Sequence, residues 1–451
     1  MNRGNIPQQA TEPQDVRPWE EDTPTTNPEE IARYFDRLWP LLRSITGDGV
    51  RHTLDILSEL VPMERHEIPS GATVFDWTVP QEWVVRDAFI LAPDGKRILD
   101  MAKNNLHLLN YSIPFRGEVS RAELDQHLHS LPELPQAIPY VTSYYEPRWG
   151  FCLTQDQRDG LPEGAYQVVI DTDHIDGSLT YGEAVLPGTE TAEVLISTNV
   201  CHPSLANNEL SGPLVSAFLY RRLESMKERR LTYRFVFIPE TIGCIAFLST
   251  RGQHLRDNLV AGYSVTCIGD DAPFTYKRSR AGNSLADRAA LYVLSQEDGI
   301  GSSILDFFPD GGSDERQYCS PGFDLPVGSL MRSMYLKYPE YHTSLDNRDF
   351  ISFQAMSRSI DVYYRVMQAL DVNLTYLNLM PWGEPQLGKR GLYPTLGVID
   401  RSGRTSAIRW LLNFADGDHD LLSIAERSGQ SMGNLHAAVQ TCLQSGLIKR
   451  V

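Results

Sequence analysis

The sequence predicts an α/β protein with a mostly parallel or mixed sheet, a β-rich insertion and a C-terminal winged helix. Three observations predict this fold class. Residues 191–370 alternate apolar strand segments with helical ones, residues 63–190 carry short aromatic and β-branched runs between turn signals, and residues 399–451 carry helices followed by a strand. Repeated strand–helix alternation is typical of a parallel sheet covered on both faces. The chain of 451 residues is also long enough for two or three domains.

Composition and charge are those of an ordinary globular protein that is acidic. Hydrophobic residues make up 41% and charged residues 22%, and the net charge is −17. This charge disfavours nucleic acids and anionic membranes as partners. The six cysteines occur singly, which is typical of buried thiols in a reducing compartment. Without an apolar run of about 18 residues or a secretory signal, we expect a cytoplasmic protein without membrane contacts.

Residues 1–190 divide into three segments of different composition. Residues 1–27 are rich in Pro, Gln, Glu and Thr and are expected to be disordered. Residues 28–62 predict two helices that pack on the α/β body, the first beginning at Pro28. The β-rich insertion, residues 63–190, carries five notable aromatic residues that either fill a small core or line a substrate cleft: Trp77, Trp83, Tyr144, Tyr145 and Trp149. We favour the core for them.

The pattern of residues 191–370 is regular enough to place individual elements. It predicts strands at 194–198, 232–238, 260–267 and 326–330, and helices at 213–227, 243–252, 283–296 and 351–370. Residues 371–398 are interrupted by Pro and Gly and predict a linker.

The last fifty residues predict a winged helix. Helices at 408–414, 421–427 and 432–443 are followed by a strand that begins at Gly446, with a turn at 416–418. The segment 431–445, which would be the recognition helix, contains no Lys or Arg, whereas phosphate contacts need basic groups. We therefore expect packing or protein contact rather than DNA binding.

Four polar clusters follow predicted strands, and they are Cys201–Asn208, Pro239–Thr241, Gly269–Asp271, and residues 310–318 together with Tyr341–Asp346. Loops at the carboxyl ends of parallel strands meet at one edge of a sheet. A hydrolase that uses a metal-activated water needs imidazole and carboxylate ligands and a carboxylate base. His202 and His342 supply two imidazoles, and Glu240 is a candidate base. A single loop histidine would carry little weight, but the clusters together indicate a site.

Four strings of residues resemble a known family: CHPSLANNELSG, FIPETIG, GSDERQ and EYHTSLD. They are similar to those of the bacterial aminopeptidase-like proteins, which combine a zinc-exopeptidase-type α/β domain, an intervening β-domain and a C-terminal winged helix. Segments 75–83 and 149–152 extend the resemblance, so that it covers about residues 30–451. Wider relatives of this family are co-catalytic zinc aminopeptidases and glutaminyl cyclases.

The resemblance implies roles for individual residues. His202 and His342 match metal ligands, Glu240 matches the general base, and Asp314 matches an acid beside the site. Asn208 stands where the family pattern has a metal-bridging Asp, and Thr241 stands where it has a second Glu that binds metal. Thr266 lies near the position of another ligand carboxylate. The remaining candidates are placed on the substrate side: Glu209, Thr241, Asp270, Arg316 and Tyr341.

The departures from the family pattern leave the function open between two classes. Replacing Asp by Asn at position 208 removes a negative charge and leaves a weak neutral donor, which lowers metal affinity. The chain is then either a hydrolase that cleaves an N-terminal peptide or amide bond with one zinc ion and Glu240, or a catalytically degenerate or repurposed fold. The second would bind a small amide-containing metabolite or a partner protein. The oligomeric state stays open, a homo-oligomer included.

Overall fold

The structure is a computed structural model and describes residues 25–297, 301–392 and 403–451. Most of the predicted disordered segment 1–27 lies outside the described residues, but Asn27 is described, and its side chain caps the first helix by accepting the backbone N–H of Glu29 at 2.9 Å. The α-helices are α1 Pro28–Leu38, α2 Asp48–Leu57, α3 Arg121–Leu124, α4 Gln155–Asp159, α5 Ser211–Glu224, α6 Ile242–Asn258, α7 Leu285–Ser295, α8 Glu315–Tyr318, α9 Phe353–Val372, α10 Arg404–Phe414, α11 Leu421–Ser428 and α12 Met432–Gln444.

The strands of the described residues form one large sheet and several small ones. They are β1 Glu64–Pro69, β2 Thr73–Val74, β3 Trp77–Thr78, β4 Glu82–Leu91, β5 Arg97–Ile98, β6 Phe115–Ser120, β7 Leu128–His129, β8 Phe151–Cys152, β9 Ala165–Ile175, β10 Ser178–Leu186, β11 Glu193–Asn199, β12 Thr232–Ile238, β13 Leu259–Val265, β14 Thr275–Lys277, β15 Ser303–Leu305, β16 Val327–Met331, β17 Thr375–Asn378, β18 Asp416–Asp420 and β19 Ile448–Arg450.

The large sheet has eight strands in the order β1-β10-β12-β11-β13-β16-β14-β15. Its centre, from β12 to β16, is parallel, whereas β1, β10 and β14 pair antiparallel with neighbours. All residues of β11, β12 and β16 are buried, as expected for strands covered on both faces. The predicted α/β fold class with a mixed sheet is thus confirmed.

The stretch 63–190 is less separate than the sequence indicated. Its first and last strands, β1 and β10, belong to the large sheet, and only the strands between them form the small sheet β5-β4-β9-β6 and two short pairs. Trp83 and Trp149 are buried in a cluster that also contains Leu195 and Val236 of the large sheet. Residues 25–365 therefore form one compact unit, because shared strands and a shared core join the insertion to the α/β body.

Element boundaries differ from the predictions mainly where the apolar pattern is weak. Helix α6 runs to Asn258 instead of residue 252, and the sequence missed its end because Leu255 is the only apolar side chain beyond residue 252. Strand β13 ends at Val265, two residues early, because Thr266 and Cys267 already belong to the loop. The sequence did not predict β14 and β15, which are three residues each and too short to show an alternation.

The second compact unit includes residues 366–451. In it α10, α11 and α12 accompany a three-stranded sheet in the order β18-β17-β19. Strand β17 lies inside the segment predicted as a linker, and β18 replaces the predicted turn at 416–418, because both pair with neighbours distant in sequence. Part of that predicted linker, residues 393–398, lies outside the described residues. Helix α12 contains no Lys or Arg.

No helix in the described parts of the chain combines the length and the apolar character needed to cross a membrane.

Candidate active site

The carboxyl ends of three parallel strands bring the polar loops together. In the sheet register Asn199 of β11 lies beside Ile238 of β12, and Thr198 lies beside Val265 of β13. His202 follows the first strand end, Glu240 the second and Thr266 the third. The predicted clustering of these loops at one sheet edge is therefore what the topology produces.

The His202 ring is held by Glu209, seven residues further along the chain. The Glu209 carboxylate accepts the backbone N–H of His202 at 2.9 Å and lies 2.8 Å from its ring Nδ1. Burial lowers the pKa of His202, but Cys201 and Glu209 outweigh it and the net pKa is raised well above the ordinary value. A carboxylate on one imidazole nitrogen is the arrangement that orients metal-binding histidines. Glu209 thus orients His202, a role different from the substrate contact predicted for it.

If His202 holds zinc, as the family resemblance implies, Glu209→Gln is expected to weaken its binding by about 10- to 100-fold, because the neutral amide orients the imidazole poorly and makes it less basic. Competition with a chromogenic chelator measures this affinity. Thermal unfolding of the zinc-free protein is the control for a general loss of structure. Unchanged zinc affinity in a folded variant would contradict the orienting role.

The ring of His342 lies close to that of His202. Their centroids are 5.3 Å apart, and the ring of Tyr140 lies 5.0 Å from that of His202 and 5.2 Å from that of His342. Tyr341 stacks on His342 at 3.9 Å. His342 has φ of 55°, and its buried Nε2 finds no hydrogen-bond partner among the described residues. Burial and the neighbouring His202 hold the pKa of His342 well below its usual value.

Asn208 is held in a single π-helical turn, Ala206–Leu210, just before α5. The Asp346 carboxylate accepts the backbone N–H groups of Asn207 at 2.6 Å and Asn208 at 2.9 Å. The Asn208 Oδ1 atom is buried and has no hydrogen-bond partner within the described residues. Gly212 permits this packing, because a Cβ there would lie 2.3 Å from the carbonyl oxygen of Val265. A buried amide oxygen without a partner is available to accept a hydrogen bond from water or to bind an ion.

Glu240 and Asp314 form a second group at the same edge. The side chain of Glu240 approaches His202 with 3.7 Å between Oε2 and Nε2. Asp314 Oδ1 accepts the N–H of Thr241 at 2.8 Å, while its buried Oδ2 finds no partner among the described residues. Burial raises the pKa of Glu240, although His202 opposes this, and burial together with the charge of Glu240 raises the pKa of Asp314. Raised carboxyl pKa values are typical of acid–base catalysis near neutral pH.

The loop that carries Asp314 is anchored by a fully buried ion pair. Lys277 Nζ lies 2.9 Å from Glu315 Oε1, and neither side chain is exposed. The Tyr335 hydroxyl donates to the same oxygen at 2.9 Å, and the N–H of Ser313 is shared by both Glu315 oxygens. Because Ser313 and Glu315 flank Asp314, the ion pair fixes where that carboxyl lies.

Three of the other predicted site residues have less direct positions. The oxygens of Asp270 accept the N–H and hydroxyl of Ser333, so Asp270 is already engaged, and the predicted substrate contact is not supported. Arg316 donates to the carbonyl of Ser313 at 3.3 Å. Its positive charge opposes the rise in the pKa of Glu240 that burial causes. Thr241, the third, has φ of 62° beside Glu240.

Three residues at the site were given no role by the sequence, although Cys201 belongs to one of the predicted polar clusters. Arg43 is fully buried, donates to the carbonyl of His202 at 2.8 Å, and its pKa is lowered to about 10 by burial. The Sγ atom of Cys201 accepts the N–H of Glu240 at 3.2 Å. Tyr140 enters from the insertion. Of the three, only Cys201 is signalled by the sequence, because it is adjacent to His202. Arg43 and Tyr140 come from distant parts of the chain and leave no local signal.

Two groups of residues that include His202 offer candidate metal positions. On the Nδ1 side, Cys201, His202 and Glu209 bring ligand atoms within 4.8 Å of one another. Two ligands of a tetrahedral zinc lie about 3.3 Å apart, whereas Glu209 is at hydrogen-bond distance, 2.8 Å, from Nδ1. Elsewhere in the same cluster of loops, the ring of His342 lies 5.3 Å from that of His202, and His342 and Asn208 each have an unpaired buried atom. Two imidazoles would supply usual zinc ligands, and the Asn208 amide oxygen would add a weak neutral third donor, while the threonines at 241 and 266 supply no carboxylate for a second ion.

The fold and the site define an aminopeptidase-like protein with a C-terminal winged helix. The chain belongs to the family described as "Domain of unknown function (DUF4910)", whose model matches residues 32–373, and a winged helix-turn-helix model matches residues 374–450. A Clostridium acetobutylicum protein is 43% identical over 425 residues, which are 94% of this chain and 96% of that protein. It is named, provisionally, a polysaccharide biosynthesis protein with aminopeptidase-like domain.

Solved structures support the same fold. A crystal structure of a provisionally named peptidase from Clostridium acetobutylicum has a TM-score of 0.87 and 42% identity, covering 94% of this chain and 96% of that chain. The zinc aminopeptidase BSAP from Bacillus subtilis has a TM-score of 0.54 and 11% identity, covering 75% of this chain and 94% of its own. The second likeness shows a shared fold. The resemblance and fold class predicted from the sequence are thus confirmed.

Proposed function

We propose that the protein is a zinc-dependent hydrolase that cleaves an N-terminal peptide or amide bond. The observation that carries this proposal is the pair of unpartnered buried atoms, His342 Nε2 and Asn208 Oδ1, in the cluster of strand-end loops that holds His202 and Glu240. Unsatisfied buried acceptors are costly unless a ligand completes them. In this proposal His202, His342 and Asn208 hold one zinc ion.

When bound, zinc supplies a Lewis acid that polarises the amide carbonyl and makes a water acidic enough to attack. Glu240 takes the proton from the attacking water and then gives it to the leaving amine nitrogen. Its raised pKa makes the carboxyl group suited to both transfers. Asp314 holds Thr241 through its backbone, and Arg316, whose charge acts on both carboxyl groups, orients the substrate.

The substrate class follows from the relative's name, which joins an aminopeptidase-like domain to polysaccharide biosynthesis. We extend this to the present chain and propose that the amide is carried by a saccharide. This choice is compatible with a site in which most carboxylates are already engaged. Glu209 holds His202, Glu315 holds Lys277 and Asp270 holds Ser333, so few remain to bind the free ammonium group of a peptide.

Zinc content and turnover test the proposal together. Metal analysis of the purified protein is expected to find about one zinc per chain. An aminoacyl-p-nitroanilide and the tetramer of N-acetylglucosamine serve as peptide-like and saccharide-borne amides, and removal of zinc by a chelator is expected to stop hydrolysis of the latter. A zinc-free protein that hydrolyses neither amide after zinc addition would contradict the proposal.

A second candidate function is a fold that has lost catalysis and binds an amide-containing metabolite or a partner protein. The observation in its favour is Asn208 itself, a neutral amide where the family pattern has a charged ligand. Asn208→Asp is expected to raise zinc affinity about tenfold or more, since it restores a negative ligand. Chelator competition measures the affinity, and amide turnover is followed in parallel.

Asn207→Asp is the matched control, because Asn207 Oδ1 already accepts the N–H of Gly269 at 2.7 Å. It should bring no gain in zinc affinity. Hydrolysis that appears only in Asn208→Asp would favour the degenerate fold, whereas activity of the natural protein at its single zinc would favour the hydrolase.

A further inference from the structure

Three exposed aromatic side chains lie together in the unit of residues 25–365. Phe75, Trp77 and Tyr145 are exposed by 57, 38 and 49%, and we refer to them as the aromatic surface. Trp77 and Tyr145 touch edge to face, with ring centroids 5.4 Å apart, and Phe75 packs in the same manner on Phe323 at 5.7 Å. Exposed apolar side chains that cluster in this way mark binding sites more often than scattered ones do.

Two members of the aromatic surface have unfavourable backbone conformations. Phe75 has φ of 55° and Tyr145 has φ of 59°, in the left-handed region that bulky residues rarely adopt. The Tyr145 hydroxyl donates to the carbonyl of Thr78 at 3.1 Å, which ties it to the β2–β3 hairpin that carries Phe75 and Trp77. A rigid and strained presentation of exposed rings gives little to stability, and such strain is typical of ligand-binding positions.

The aromatic surface is built on the same segments as the candidate active site. The ring of Tyr140 lies 5.0 Å from that of His202 and 5.2 Å from that of His342, and Tyr145 is five residues further on, so the Cα atoms of the two tyrosines are at most about 18 Å apart. Between them, the Tyr144 hydroxyl lies 2.9 Å from that of Tyr140. Phe323, against which Phe75 packs, follows Asp314 in the chain after the short helix α8. The segments that carry the aromatic surface thus also contribute residues to the candidate site.

The charges beside these rings are acidic. Asp76 and Glu146 are exposed neighbours of the three aromatic residues in the sequence, and segments 72–78 and 143–147 contain no Lys or Arg. Carboxylates accept hydrogen bonds from hydroxyl groups and repel anions. Aromatic faces are attracted to the weakly positive C–H groups of a saturated ring. Together these groups match a neutral, hydroxyl-rich ring with apolar faces.

We propose that Phe75, Trp77 and Tyr145 form a subsite that stacks a neutral pyranose ring of the substrate, away from the bond that is cleaved. The inference rests on the proposed function for its saccharide-borne amide, and it adds where the saccharide is held. Asp76 and Glu146 accept hydroxyl groups at the rim of this subsite. An acidic sugar binds less well there, because the two carboxylates repel it.

Titration of tryptophan fluorescence with the N-acetylglucosamine tetramer tests the subsite. Trp77→Ala is expected to weaken binding about tenfold and Tyr145→Ala by a comparable factor. Trp382→Ala is the matched control, since Trp382 is 96% exposed in the other unit, and it should leave the affinity unchanged. A tetramer of galacturonic acid is expected to bind more weakly than the neutral one. Tyr145→Gly is expected to unfold at a higher temperature than Tyr145→Ala, because both lose the contacts with Thr78 and Trp77 but only glycine relieves the positive φ.

Binding is measured in Glu240→Gln and in chelated protein as well, and it is expected to persist in both. Binding in both would support the subsite even if the protein hydrolyses no amide. Hydrolysis of the anilide without saccharide binding would support the proposed catalytic site but not the subsite. Equal affinity of Trp77→Ala and wild type, or no binding of the neutral tetramer at millimolar concentration, would overturn the inference. A change of oligomeric state in Trp77→Ala on sedimentation, without loss of saccharide binding, would assign the surface to a second copy instead.

Discussion

Glu240→Gln is expected to lower kcat for amide hydrolysis by about 10²–10⁴-fold with little change in zinc content. The amide cannot accept a proton from water or return one to the leaving amine, although it keeps nearly the same shape. Zinc remains because Glu240 is not one of its proposed ligands, and its Oε2 is 3.7 Å from His202 Nε2. Steady-state kinetics with the better of the two amide substrates measure the loss.

Glu59→Gln is the matched control for this change. Glu59 is also a glutamate paired with a basic residue, Arg37, but the pair is on the surface near α1 and α2. Its replacement should leave kcat and zinc content unchanged. Equal rates for Glu240→Gln and wild type would remove Glu240 from the chemistry, while a parallel loss of zinc would make it a ligand instead.

Lys277→Met is expected to destabilise the unit of residues 25–365 by about 3–5 kcal/mol, because it leaves the Glu315 carboxylate buried without its cation. Methionine matches the apolar stem of lysine, so that lost packing contributes little. Tyr335 and Ser313 still donate to the carboxylate but carry no charge to compensate it. Urea-induced unfolding followed by fluorescence measures the loss.

Two further variants test whether the loss in Lys277→Met comes from the unpaired buried charge. Arg280→Met removes a comparable ion pair with Asp324, at 2.8 Å but on the surface, and should cost about 1 kcal/mol or less. Adding Glu315→Gln to Lys277→Met is expected to recover about half of the loss, since the carboxylate no longer lacks a partner. A Lys277→Met protein as stable as Arg280→Met would show that the pair contributes no more than a surface bridge.

The fold class could be predicted from the sequence alone, because the patterns that indicate it are local and repeated along the chain. Continuous apolar runs at 194–198 and 232–238 and the helical stripe of 351–370 report on burial directly, and each appears within a few residues of its predicted place. The strings around His202, Glu240 and His342 likewise placed the candidate site at strand ends, because a parallel sheet puts those ends at one edge.

Partners and roles at the site needed the tertiary structure. Glu209 looked like a substrate contact, but the π-helical turn brings its carboxylate back to His202. Asp270 was predicted to contact the substrate, but its carboxylate accepts a hydrogen bond from Ser333, 63 residues away. Arg43 and Tyr140 reach His202 from 159 and 62 residues away, and no local pattern records such contacts. The tertiary structure also decided which aromatic residues of the β-rich insertion fill the core. Trp83 and Trp149 are buried there, whereas Trp77 and Tyr145 are exposed.

The sequence by itself thus determined the α/β sheet, the winged helix and the loops that hold the candidate site, because these follow from local periodicity and chain order. Only the tertiary structure decided which side chains meet there, which buried atoms of His342 and Asn208 lack partners, and which aromatic rings face the solvent. The physical reason is that hydrogen bonds and burial at a site join residues far apart in sequence, whose relative positions exist only after the sheet has formed.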